Sequence, residues 1–282
     1  MNHIPSQAPP RQVIVSGATG FVGRHLVPLL VADGWDVVAM GRSREKARDL
    51  PGFDGALFVP MELGQDVRSF NPRPGALLIH LAWSGLPNYR TLLHLEENLP
   101  RSYAFIKQMV RLGASQVLVA GTCLEYGMQN GCLSALTEPR ASTPYGSAKD
   151  MLRRQLGFLR GDFPFGLQWA RLFYMYGDGQ NPRSILAQLD AAIDRGDATF
   201  DMSGGEQLRD YLPIEEVARQ FLAIARSGQE GVFNICSGQP VSIRRLVERH
   251  ITARNSSITM NLGHYPYPDY EPLAFWGEPT LT

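Results

Sequence analysis

Val13-Ile-Val-Ser-Gly17-Ala-Thr-Gly20-Phe-Val-Gly23 decides the fold of this chain. A short apolar run enters a glycine-spaced turn. Helical apolar spacing then takes over from Val22 to Ala32 and ends near Gly34. Three missing side chains permit a tight turn and bring backbone close to a ligand. The helix N-terminus that follows presents free N–H groups to an anion. The spacing is G-x-x-G-x-x-G rather than G-x-G-x-x-G. On its own such a triplet also fits an ordinary strand–helix turn. Its strand–turn–helix setting points instead to a dinucleotide pyrophosphate, held by Gly17, Thr19, Gly20, Phe21, Val22 and Gly23.

The alternation continues outward from this turn. Asp36–Met40, Ala56–Val59, Leu77–Leu81, Gln116–Ala120 and Leu167–Leu172 read as further strands. Helical stretches lie between several of them, including Tyr145–Leu159. Continuously apolar strands separated by helices predict an α/β fold, a doubly wound parallel sheet covered on both faces. The helical stretch from Asn88 to Leu112 contains Pro100, which predicts a break near Asn98. After Tyr176 the rhythm changes to loops and short helices at Ser184–Asp194, Ile214–Arg226 and Ile243–His250. The expected division is a dinucleotide-binding domain over 11–175 and a smaller, mainly substrate-binding C-terminal lobe over 176–282. Part of 210–236 returns to the sheet through Gly231–Ile235. Residues 1–10 are expected to form a flexible leader.

Cofactor choice turns on the end of the second strand. A carboxylate there would hold ribose hydroxyls. The chain has Gly41-Arg42-Ser43 instead, and Asp36 lies at the strand's other end. The planar cation of Arg42, with Ser43 beside it, suits a 2′-phosphate, so NADP is favoured over NAD. Arg42 stacked on adenine, or simply solvated, is the plainer alternative.

Tyr145 and Lys149 in Tyr145-Gly-Ser-Ala-Lys149 share one face of a helix. A free tyrosine, pKa near ~10, is a poor base. A neighbouring ammonium favours its phenolate, and Lys149 can also bond the nicotinamide ribose. Thr122, just after the fifth strand, can hold a substrate oxygen. This constellation behind a nucleotide loop points to hydride transfer at a carbon bearing oxygen.

Composition excludes other classes. Lys+Arg and Asp+Glu both number 27, so no basic excess favours nucleic acid. No apolar run is long enough to span a membrane. Cys123, Cys132 and Cys236 are sparse and lack metal-ligand spacing, as do the six histidines. This fits a reducing, cytoplasmic setting without a metal.

The chain resembles the extended short-chain dehydrogenase/reductase superfamily, in its branch of nucleotide-sugar epimerases, dehydratases and reductases. Besides the glycine loop, the matching stretches are His80-Leu-Ala82, Gly121-Thr122-Cys-Leu-Glu-Tyr126-Gly127, Thr143-Pro-Tyr145-Gly-Ser-Ala-Lys149, Arg171-Leu-Phe-Tyr-Met-Tyr176-Gly177, Arg209-Asp-Tyr211 and Phe233-Asn-Ile-Cys-Ser-Gly238. The resemblance implies a Rossmann-type domain and a Thr122, Tyr145, Lys149 triad. It adds Leu81 and Ala82 to the cofactor contacts. It also implies substrate contacts from Asn98 and from Arg209 at a diphosphate. Trp83 follows the fourth strand, where substrate and nicotinamide meet, and either contacts the substrate or packs; Tyr174 either shapes a different sugar pocket or packs. Relatives often carry Asn where this chain has Tyr174, so that position departs from the pattern. Dimers through the helices bearing Asn98 and Tyr145 are common in the family, which makes a homodimer the expected assembly.

Within the branch, 4,6-dehydratases place Asp and Glu directly after the threonine. Here Cys123 and Leu124 stand there, and Glu125 is one residue too late. Cys123 is also one position off the cysteine of the epimerase-reductases. Two enzymes remain: an NADPH-dependent reductase of a 4-keto-6-deoxy nucleotide sugar, and a 4-epimerase that keeps NAD bound. Arg42 favours the reductase. A non-catalytic NADP-binding regulator is a third reading, and the intact triad opposes it.

Overall fold

A computed structural model describes residues 11–65 and 70–280 of the chain. The expected leader lies outside the described residues. Seven parallel strands form the central sheet: β1 (Gln12–Ser16), β2 (Asp36–Gly41), β3 (Ala56–Pro60), β4 (Ala76–His80), β5 (Ala114–Thr122), β6 (Gly166–Leu172) and β7 (Gly231–Ile235). Their spatial order is β7-β6-β5-β4-β1-β2-β3. The order reverses between β1 and β4, which opens a crevice at the carboxyl ends of those strands.

Seven α-helices accompany the sheet: α1 (Gly23–Ala32), α2 (Arg44–Arg48), α3 (Leu99–Arg111), α4 (Pro144–Asp162), α5 (Ile185–Arg195), α6 (Ile214–Ser227) and α7 (Ile243–Ala253). One sheet face packs Leu26, Val27 and Leu30 of α1 with Val217, Phe221 and Ile224 of α6. The opposite face packs Ile106 and Met109 of α3 with Leu152 and Leu156 of α4. Both faces being covered explains why the strands read as unbroken apolar runs. A separate core joins Leu189 of α5 to Leu246 and Val247 of α7.

The break expected near Asn98 is present, but it marks a start rather than a kink. Residues His94–Asn98 form a π-helical turn in which Leu99 donates to the His94 carbonyl. α3 follows, with Pro100 in its first turn, where a missing N–H costs no helical bond. The tail returns to the body of the fold. Phe275–Gly277 pairs in parallel with Gly131–Leu133, next to the β5–α4 connection. Phe275 is buried there, whereas Tyr265 and Tyr267 are 54% and 43% exposed and close no core.

Candidate active site

The sheet crevice and the start of α4 converge on one point. Thr143 caps α4, accepting from Gly146 N at 3.1 Å, and Pro144 occupies the first turn. This fixes Tyr145 and Lys149 on the helix face turned towards β5. Thr122 ends β5 and caps the short 3₁₀ turn Cys123–Tyr126, its Oγ1 accepting from Leu124 N at 3.3 Å. Glu125 completes a capping box by accepting from Thr122 N at 2.8 Å. The Thr122 hydroxyl hydrogen therefore remains available, and that hydroxyl lies beside the Tyr145 hydroxyl, whose pKa it acts to lower.

Lys149 Nζ donates to the Ala120 carbonyl at 2.7 Å and sits 3.9 Å over the Trp83 ring. Burial pulls the Lys149 pKa down to about 7, against the opposing pull of Glu125. Burial also raises the Tyr145 pKa above its ordinary value, with the Thr122 bond acting in the opposite sense. The Lys149 nitrogen lies 6.0 Å from the Tyr145 ring centroid, and burial is the leading influence on the phenol. Tyr145 is held here as a protonated phenol, which is a proton donor.

Three aromatic side chains fix the Tyr145 ring: Tyr89 stacked at 5.6 Å, His94 at 5.1 Å and the Trp83 edge at 6.0 Å. His94 Nε2 faces the Asn88 carbonyl at 2.8 Å, so that nitrogen carries the hydrogen. Nδ1 then accepts from Trp83 Nε1 at 3.0 Å. Burial lowers the His94 pKa and keeps this tautomer neutral. Asn98 stands one layer behind. Its amide is spent on Ser84 Oγ at 2.7 Å, the Ser84 carbonyl at 3.0 Å and His94 Nδ1 at 3.3 Å. Asn98 thereby supports the loop carrying Trp83. Tyr89 and His94 were not singled out in the sequence; the i, i+4 spacing of His94 and Asn98 was the available signal.

The glycine loop fits a dinucleotide. Gly17 has φ +74°, and a Cβ there would lie 2.7 Å from Ala82 N. A Cβ on Gly23 would lie 2.4 Å from the Ala18 carbonyl. The loop is thus pressed against both Leu81-Ala82 and the start of α1. The N–H groups of Phe21 and Val22 meet no acceptor among the described residues. Thr19 Oγ1 would lie 3.2 Å from a Cβ on Gly41, which puts Arg42 next to this loop. Arg42 is exposed and has no ionic or hydrogen-bonding partner among the described residues. Arg44, by contrast, donates to the Phe58 carbonyl at 3.2 Å. Ser43 caps α2, accepting from Lys46 N at 3.1 Å.

Two other sequence candidates are occupied by structural tasks. His80 Nδ1 is 2.8 Å from Ser16 Oγ, and burial pulls its pKa down to about 3. Glu125 points away from the site, into an ion pair with Arg171 at 2.8 Å and a bond from Trp169 Nε1 at 3.0 Å. Burial pushes the Cys123 thiol up, so it is not a thiolate. Arg209 and Tyr174 do meet, the guanidinium 5.9 Å from the ring centroid, but both bind a residue the sequence did not flag, Glu271. No group of three metal-ligating side chains occurs among the described residues.

The model of the NAD-dependent epimerase/dehydratase family matches residues 13–236, spanning both the loop and the triad. The chain belongs to that family. Within it, the chain is 33% identical to the dTDP-6-deoxy-L-talose 4-dehydrogenase (NAD(+)) of Aggregatibacter actinomycetemcomitans, over 94% of this chain and 98% of that one. It is 24% identical to the dTDP-4-dehydro-6-deoxyglucose reductase of Escherichia coli, over 84% and 79%. Among solved structures, MoeE5 in complex with UDP-glucuronic acid and NAD superposes with a TM-score of 0.78 at 26% identity, covering 95% of this chain and 90% of that one. As a member of this family the protein is an NAD(P)-dependent enzyme with a Rossmann-type fold.

Proposed function

We propose that this protein reduces the 4-keto group of a nucleotide-activated 4-keto-6-deoxy sugar with NADPH. The observation that carries this reading is the convergence of Thr122, Tyr145 and Lys149 beside a cleft with no carboxylate pair after Thr122. Glu125, the nearest acid in sequence, is consumed by Arg171 and Trp169. Elimination and C5 epimerisation need a base that these positions do not offer. Carbonyl reduction needs only a hydride source and one proton donor.

NADPH would supply the hydride at the glycine loop, where Gly17, Thr19, Gly20, Phe21, Val22, Gly23, Leu81 and Ala82 would hold it and Arg42 and Ser43 would take the 2′-phosphate. Thr122 and Tyr145 both donate to the ketone oxygen. Tyr145, kept protonated by burial, delivers its proton to that oxygen as the alcohol forms. Lys149 orients the ribose and returns a proton to Tyr145. Arg209 and Tyr174 hold the diphosphate end of the substrate, and Trp83 walls the sugar pocket. The names of the two relatives support a C4 redox step on a deoxysugar nucleotide. The alternative, an NAD-dependent 4-epimerase, draws on a relative named UDP-glucose 4-epimerase, 21% identical. An outward Phe158, 84% exposed on α4, and Met151 one heptad earlier support the homodimer through α3 and α4.

The test is NADPH oxidation with a panel of 4-keto-6-deoxy sugar nucleotides. Turnover is expected with at least one, and Tyr145→Phe is expected to lose on the order of 10²–10⁴ of it while still binding NADPH. C4 inversion of a UDP-hexose without added cofactor would establish the epimerase instead.

A further inference from the structure

Arg209 is buried at 3% exposure, and four of its five N–H groups are already used. Nη1 donates to the Leu208 carbonyl at 2.8 Å and the Leu273 carbonyl at 3.2 Å. Nε and Nη2 donate to one oxygen of Glu271, at 3.2 and 2.9 Å. The other Glu271 oxygen takes the Tyr174 hydroxyl. A bidentate phosphate contact needs two parallel donors, and the guanidinium has one left. The carbonyl bonds fix the cation in place; the carboxylate is the replaceable partner.

We propose that Glu271 is a built-in counter-anion that occupies the diphosphate subsite of the free protein and leaves when a nucleoside diphosphate enters. The inference rests on the nucleotide-sugar reading above. Charge decides between exchange and sharing. Glu271 neutralises Arg209, and a diphosphate added beside it would place at least three negative charges on one cation in a poorly solvated cleft. Exchange leaves Arg209 with the phosphates and frees the Tyr174 hydroxyl to donate to them as well. The tail permits it. Leu208 N to the Leu273 carbonyl at 2.9 Å and Gly131 N to the Ala274 carbonyl at 2.9 Å hold the chain after Glu271. Before Glu271, the exposed Tyr265 and Tyr267 lead into Asp269, which touches the exposed Arg90. Tyr270 anchors the backbone through its ring against Tyr89 at 5.8 Å and its carbonyl accepting from Ser142 Oγ at 3.4 Å, so the motion needed is of the Glu271 side chain alone. Glu271 can turn outward without unseating the strand Phe275–Gly277.

A displaceable internal anion lowers apparent affinity by the fraction of molecules it blocks. Titration calorimetry with UDP and with dTDP on the wild type, Glu271→Gln and Glu271→Ala tests this. Both variants are expected to bind at least one diphosphate about tenfold or more tightly than the wild type, with NADPH affinity unchanged. Equal or weaker diphosphate binding by the variants would show a fixed brace and overturn the exchange. So would failure of both variants to fold. If neither diphosphate binds the wild type or either variant, the nucleotide-sugar reading falls, and this inference falls with it.

Discussion

Two buried arginine–glutamate pairs lie close to the Thr122–Cys123 corner, and they are built differently. Arg171 and Glu125 come from β6 and the turn after β5, in the middle of the sheet, with side chains 1% and 0% exposed. Glu125 accepts from Arg171, Trp169 and Thr122 N, so each oxygen is engaged by groups that belong to the frame. Arg209 and Glu271 join a short strand to a tail more than sixty residues away in sequence. Among the described residues Glu271 is held only by the Arg209 and Tyr174 side chains. The first pair sets the angle at which Thr122 meets Tyr145. The second stands where, on the proposed exchange, a diphosphate competes for it. Burial and ion pairing alone do not separate a brace from a site; the ownership of the remaining hydrogen bonds does.

The sharpest way to break this comparison is to delete the cation from each pair. Arg171→Met leaves Glu125 ionised or forced to protonate inside the sheet, with no route to water. The expected loss is about 3–5 kcal/mol of stability, read by urea unfolding. Arg209→Met is expected to cost less than about 2 kcal/mol, because Glu271 can rotate to solvent. It should instead remove nucleoside diphosphate binding. Similar destabilisation by both would make Glu271 as structural as Glu125.

The two regions also differ in how far the sequence disclosed them. The sheet, the glycine loop and the Tyr145–Lys149 face follow from local patterns: apolar runs, glycine spacing, and two residues four apart on a helix. Glu125 was legible by position as an acid placed too late, and the structure gives it a task. Glu271 carries no such signal. It sits in a Pro-rich, aperiodic tail, and its partners Arg209 and Tyr174 come from separate strands, so only the tertiary path brings them together. Tyr145 as a proton donor was legible from its pairing with Lys149, whereas the burial that raises its pKa comes from several elements and leaves no local pattern.

A smaller effect is expected where the cofactor half is open to solvent. Arg42 has no partner to lose among the described residues, so its substitution isolates ligand binding from stability. Arg42→Ala is expected to weaken NADPH binding by about tenfold to a hundredfold, the worth of a charge-assisted contact of roughly 1.5–3 kcal/mol. NADH binding should barely change. Fluorescence titration of both cofactors decides it. Equal affinity of the wild type for NADH and NADPH would assign Arg42 to solvent and move the NAD-dependent epimerase ahead of the reductase.

The last expected effect concerns Lys149, the one buried cation of the site with no carboxylate against it. Its pKa falls from 10.5 in the unfolded chain to about 7 in the folded one. Between those values the unfolded chain holds the extra proton, so stability rises with pH across the window. Below about pH 7 both states are charged, and the full cost of burying the ammonium is present. His80 contributes in the same direction but only between its ordinary 6.5 and its folded value of about 3. Burial raises the Cys123 and Cys236 thiols, so from about pH 8.5 upward they oppose this slope, and measurements from pH 7 to 8 isolate Lys149. Cofactor-free wild type is expected to gain on the order of 1 kcal/mol per pH unit there, and Lys149→Met to lose that slope. Parallel pH profiles for wild type and variant would mean that Lys149 stays charged in the fold. Its ammonium would then act on Tyr145 after all, and the phenol would lose its place as the resting form.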